Sequence, residues 1–158
     1  MITCHVESFE DRLDELKQLL PAHYKELALN QDAVPLDPQY EVYIERERQG
    51  GLLFVVLRDA GEMVGYYIGF IAPGLHYKTC LTCTTDIFFV RADKRDGTAG
   101  IRMFRFVAKE LKRRGVQRWF TGSKVQHDAS KLFDFLNFER VEIYYSKWLG
   151  VGDEKTTA

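Results

Sequence analysis

The chain has 158 residues, 46% hydrophobic and 28% charged, with 22 basic against 23 acidic side chains and a net charge of −1. That length fits one domain able to bury about two thirds of the surface its unfolded form exposes, and the composition excludes disordered and fibrous classes. No apolar run approaches the roughly 20 residues of a membrane span, and the acid-bearing opening MITCHVESFEDRLDE does not read as an export signal, so a cytoplasmic protein is expected.

ITCHVESF alternates as a first strand. Ser8 is a good N-cap, and Phe9, Leu13, Leu16, Leu19 and Leu20 follow at helical spacing. Pro21 is expected to interrupt this helix, which then resumes toward Asn30. NQDAVPLDP has the composition of a loop, and PQYEVYIERERQ reads as a short helix ended by Gly50 and Gly51. LLFVVLRD and MVGYYIGFIAP, joined at AGE, form a hairpin in which Gly65 and Gly69 mark a bulge or a close neighbour. KTCLTCTTDIFFV is a third strand. From Thr98 to Arg114 the pattern is helical, with Ile101, Phe104, Ala108 and Leu111 on one face, and Arg102, Arg105, Lys109, Lys112 and Arg113 around the other. VQRWFTG is a strand, HDASKLFDFLN a short helix with Asn137 suited to a left-handed cap, and FERVEIYYSKWL a final strand. The order β-α-α-β-β-β-α-β-α-β, with no repeat or linker, describes one mixed α/β (α+β) domain over residues 1–150, followed by a flexible tail at 151–158.

An odd count of cysteines, Cys4, Cys80 and Cys83, fits a reducing compartment better than a disulfide framework. CLTC invites a zinc reading with His76, Cys4 and His5 as further ligands. There is no second CxxC, however, and residues three apart on a strand point to opposite faces, so no metal is expected. Charge is unevenly placed: residues 1–50 hold 11 acids against 5 bases, whereas Arg102 to Arg118 holds 7 bases and one acid, Glu110.

DIFFVRADKRDGTAGIRMF, residues 86–104, runs from a strand through a glycine-bearing turn to a basic helix. A helix N-terminus offers unpaired N–H groups and the positive end of the helix dipole, a setting for phosphate, although plain strand-to-helix connections look similar. It is neither a Walker loop nor a three-glycine dinucleotide fingerprint. Together with a second stretch it resembles the GNAT (Gcn5-related N-acetyltransferase) superfamily, over essentially the whole chain. In the first stretch Val90 ends the strand, Ala92 takes the place of a frequent proline, Arg95 fits the family arginine, and Gly100 fits the last glycine. In QHDASKLFDFLNF, the residues Gln126, Ala129, Leu132, Phe133, Asn137 and Phe138 match the second family word in register.

The resemblance implies a GNAT fold and acetyl-CoA as co-substrate, with its pyrophosphate on Arg95, Gly97, Thr98, Ala99, Gly100 and Ile101. The backbone of Phe88 and Val90 would hold the pantetheine arm and thioester carbonyl. It further implies direct acetyl transfer to a primary amine, with Asp86 as general base on the strand face shared by Phe88 and Val90. His127 and His76 are candidate proton shuttles. Two departures stand out: Asp96 and Thr98 occupy glycine positions, so Asp96 must face solvent or pair with Arg95, and Phe133 replaces a tyrosine that protonates the departing thiolate. Tyr77, Tyr144 and Tyr145 are candidate replacements. The acidic first fifty residues would shape the acceptor pocket, favouring a cationic small molecule, such as a polyamine, or a protein lysine or N-terminus. A basic helix without interleaved aromatics disfavours nucleic acid as partner. A homodimer through exposed sheet edges is expected. The rival reading is a catalytically weak GNAT-fold protein that acts by binding a protein or nucleic-acid partner.

Overall fold

A computed structural model describes residues 1–95 and 97–151. Its five-stranded sheet runs in sequence order, β1 (Ile2–Val6), β2 (Leu52–Asp59), β3 (Glu62–Pro73), β4 (Leu81–Val90) and β5 (Arg118–Phe120). Neighbours are antiparallel as far as β4, and β4 and β5 are parallel. Helices α1 (Phe9–Leu27) and α2 (Tyr40–Arg48) cover one face, and α3 (Ala99–Arg113) and α4 (Ser130–Phe135) cover the other. With both faces covered, β2 needs no polar alternation, and Leu52 to Leu57 are all buried.

The hairpin between β2 and β3 turns on Ala60 and Gly61, both at positive φ, as a two-residue turn matched to strand twist requires. Ser8 caps α1 as expected, accepting from the Asp11 amide at 3.2 Å. A second cap comes from α2, whose Glu47 carboxylate accepts from the amides of Phe9 (2.6 Å) and Glu10 (3.2 Å). This ties the two helices together at the positive end of α1. Pro21 does not interrupt α1. The helix runs through it, because burial of Leu16, Leu20 and His23 around it offsets the one lost backbone hydrogen bond.

The expected final strand is absent: residues 138–149 follow α4 with no strand pairing among the described residues. Phe138 anchors the start of this segment on Trp119, with ring centroids 4.9 Å apart, but Val141, Ile143, Tyr144 and Tyr145 are exposed. Strand propensity is realised only against a paired neighbour and a burying face, and three-residue β5 offers little edge. Of the expected tail, residues 152–158 lie outside the described residues, as does Asp96. Among the described residues no helix is long and apolar enough to cross a membrane.

Candidate active site

The sheet opens between β4 and β5. Their pairing covers only Thr82–Thr84 against Arg118–Phe120, and beyond it that edge of β4 has no strand partner among the described residues. Arg91 donates its amide to Val64 of β3, so strand alternation turns the polar backbone of Val90 and Phe88 the other way, toward that opening. A cavity of about 1250 Å³ fills it. Its walls come from α1, the α1–α2 connection, β4, the start of α3, residues 122–129 and the segment Tyr144–Ser146.

A β-bulge sets the position of Asp86. Ile68 pairs with Ile87 and Gly69 with Thr85, which leaves Asp86 as the extra residue. The bulge sends Asp86 to the α1–α2 face beside Ile87, whereas Phe88 and Val90 pack on the α3 face. Sequence alternation places all three on one face; the inserted residue breaks that alternation. Asp86 Oδ2 accepts from the Tyr43 hydroxyl at 2.6 Å. Burial lifts the Asp86 carboxyl above the ordinary aspartate range, and the Tyr43 hydrogen bond and the Arg46 charge draw it partly back. A carboxylate raised in this way is a better proton acceptor at neutral pH than a solvated one. The Tyr43 ring stacks on Phe9 at 5.1 Å, which fixes the hydroxyl.

The opposite end of the cavity is the turn into α3. Gly97, Gly100 and Ile101 line it, while Ala99 is buried in the core and Thr98 precedes the helix without a side-chain cap bond. Neither Gly97 nor Gly100 has positive φ. A Cβ on Gly97 would meet nothing within 4 Å, and one on Gly100 only Leu132 Cδ2 at 3.4 Å. Backbone conformation and packing therefore both permit a side chain, and what glycine supplies is bare backbone facing the cavity beside first-turn amides. Such a cradle fits a pyrophosphate. Arg95 is held close by: its Nε donates to the Val90 carbonyl at 2.6 Å, its Nη2 pairs with Glu26 Oε2 at 2.6 Å, and its guanidinium lies over the Phe89 ring.

His127 lines the cavity in the turn closed by its amide on the Lys124 carbonyl. His76 does not: it sits in the β3–β4 connection beside Tyr77, away from the cavity walls. Phe133 is 8% exposed and packs in an aromatic cluster with Phe88, Phe104 and Phe138, so no proton donor faces the site from that position. Tyr144 and Tyr145 line the cavity, and Tyr77 packs under Arg118 outside it. Sequence reasoning missed Tyr43, Glu26 and His23. His23 is 7% exposed, stacks on Phe89 at 5.0 Å and shares a 2.5 Å hydrogen bond with the Tyr66 hydroxyl. Burial lowers its pKa to about 4. Among the described residues no group of three or more His, Cys, Asp or Glu could hold a metal ion.

No family model matches the sequence, and no curated protein matches it. Solved structures do. A ribosomal-protein-alanine N-acetyltransferase from Brucella melitensis biovar Abortus 2308 is 16% identical at a TM-score of 0.71, covering 95% of this chain and 100% of that one. A transcriptional regulator from Bacillus halodurans C-125 is 18% identical at a TM-score of 0.74, covering 94% and 99%. A predicted acetyltransferase from Clostridium acetobutylicum, with acetyl-CoA, is 9% identical at a TM-score of 0.69, covering 94% and 97%. At such identities the likeness is one of fold: the chain has the mixed α/β fold of the GNAT-type acetyltransferases.

Proposed function

We propose that this protein moves an acetyl group from acetyl-CoA to a primary amine by direct transfer. One observation carries the reading: the raised carboxyl of Asp86, the edge of β4 beyond its pairing with β5 and the bare glycine turn into α3 all border one cavity. Acetyl-CoA would supply the acyl group as a thioester. Gly97, Gly100 and Ile101, with Arg95, would hold its pyrophosphate, and the outward backbone of Phe88 and Val90 would hold the arm and the carbonyl oxygen. Asp86, directly or through water, takes a proton from the acceptor ammonium, and Tyr43 fixes the carboxylate in place. The new carbon–nitrogen bond forms as the carbon–sulfur bond breaks, and the thiolate takes its proton from Tyr144, Tyr145, His127 or solvent.

Two features favour the rival reading of a weakly catalytic binding protein: Phe133 has no proton to give, and Glu26 already occupies one arm of Arg95. Calorimetric titration with acetyl-CoA separates the two. The transferase reading expects micromolar binding that is lost in Arg95→Ala and Gly100→Asp. The Gly100 site has room for a Cβ, so the second variant is expected to fold. Absence of binding by folded wild-type protein overturns the reading.

A further inference from the structure

Of the eleven acids of the first fifty residues only Glu26 lines the cavity, and Asp37 sits outside it between the lining residues Leu36 and Pro38. Glu7 and Glu15 are held by Arg58, Glu10 pairs with Arg48, and Glu47 caps α1. Three carboxylates line the cavity among the described residues: Glu26, Asp86 and Asp128. Glu26 is bound to Arg95, and Asp128 accepts from Ser123 and from the Ser130 amide on the far wall. Of these three only Asp86 faces the α1–α2 side, where the Tyr43 hydroxyl donates to it and the Arg46 charge acts on it. Around it that side is apolar, lined by Leu16, Leu20, Leu29, Leu36, Tyr40 and Tyr43. Leu29 and Leu36, in the connection between the two helices, are 49% and 40% exposed although they border the cavity, so apolar surface remains there for a ligand to cover.

We propose that the acceptor is a monoamine with an apolar body of about aromatic-ring size, its body against the α1–α2 wall and its ammonium at Asp86. One carboxylate over an apolar wall compensates one desolvated cation. A second ammonium buried on that wall would be stripped of water with no further free carboxylate among the lining residues to pair it, whereas a ring or branched chain gains by covering Leu29 and Leu36. This assignment rests on the acetyl-transfer reading and names the substrate class of that same site.

The test uses the full chain and three acceptors: 2-phenylethylamine, spermidine and a lysine-bearing peptide, with CoA release followed by thiol detection. Expected is a kcat/KM for 2-phenylethylamine about tenfold or more above either competitor. In Leu36→Asp, KM for 2-phenylethylamine is expected to rise about tenfold while calorimetric acetyl-CoA affinity stays unchanged. Leu36 is exposed, so this variant is expected to fold. Preference for spermidine or the peptide, equal turnover of all three, or no turnover of any by protein that binds acetyl-CoA overturns the assignment and leaves the donor site standing. Failure to bind acetyl-CoA overturns the transferase reading, and the acceptor assignment with it.

Discussion

His23 makes the stability of the fold dependent on pH in a window that can be stated in advance. Its ring is buried between Phe89 and the Tyr66 hydroxyl, and burial outweighs the attraction of Glu26, with Arg95, Lys124 and His127 adding to the depression. An unfolded histidine takes up its proton near pH 6.5, whereas the folded one does so only at about 4. Between these values the unfolded chain binds the extra proton. The contribution is therefore fully present above pH 6.5 and is lost as pH falls toward 4. Full protonation linkage over that interval is about 3 kcal/mol, of which about 2 kcal/mol is spent between pH 7 and pH 5. Urea unfolding at the two pH values reads this as a fall in midpoint of about 1 M for a chain of this size. His23→Gln keeps an amide for the Tyr66 hydroxyl but does not titrate, and its midpoint should fall by less than half as much. Carboxylates held below their ordinary range, such as Glu7 and Glu15 on Arg58, lose their charge mainly at lower pH, and Asp86, held above its range, acts in the opposite direction and equally in wild type and variant. Equal midpoint shifts in wild type and His23→Gln would refute the argument.

Two further outcomes follow, one from the β3–β4 ladder and one from the cavity wall. Gly65→Ala places a Cβ 2.6 Å from the Phe89 carbonyl oxygen, a backbone atom held in the β3–β4 ladder, so thermal unfolding should report a loss of about 2 kcal/mol or more; a loss under about 0.5 kcal/mol would mean the strands are free to separate. Tyr43→Phe removes one of the groups that hold the Asp86 carboxyl down, so the acid limb of kcat/KM against pH should move to higher pH; an unmoved limb would show that Asp86 is not the base it reports.

The layered fold was legible wherever periodicity and burial agree. Leu13, Leu16 and Leu20 share one helix face, and the alternation in β1 and the apolar run in β2 mark strands without further help. Gly69 gave a visible sign of the bulge: a Cβ there would lie 2.7 Å from the Cys83 sulfur and the Tyr67 hydroxyl, so only glycine fits where the ladder slips. The side to which the slip sends Asp86 was not legible, because alternation counts residues and a bulge adds one. Tyr43 is separated from Asp86 by 43 positions, and Glu26 from Arg95 by 69, distances over which no local pattern operates. The segment after Phe138 failed for the opposite reason, since its alternation was read as sufficient although strands also need a partner.

The same bulge links fold to chemistry. In an unbulged β4, Asp86 would share the α3 face with Phe88 and Val90, among Phe104, Phe133 and Trp119. A carboxylate there would be enclosed by aromatic rings and held neutral. One inserted residue turns it to the α1–α2 face, where the Tyr43 hydroxyl meets it and the cavity keeps it accessible, while the next residues recover the alternation that faces the backbone of Phe88 and Val90 into the opening. The Asp86 carboxylate and the edge backbone of Phe88 and Val90 are thus separated onto two sides of the C-terminal half of β4. On the proposed acetyl-transfer reading, the amine would approach from the helical connection and the thioester would lie along the edge of β4, so that neither would have to pass the other.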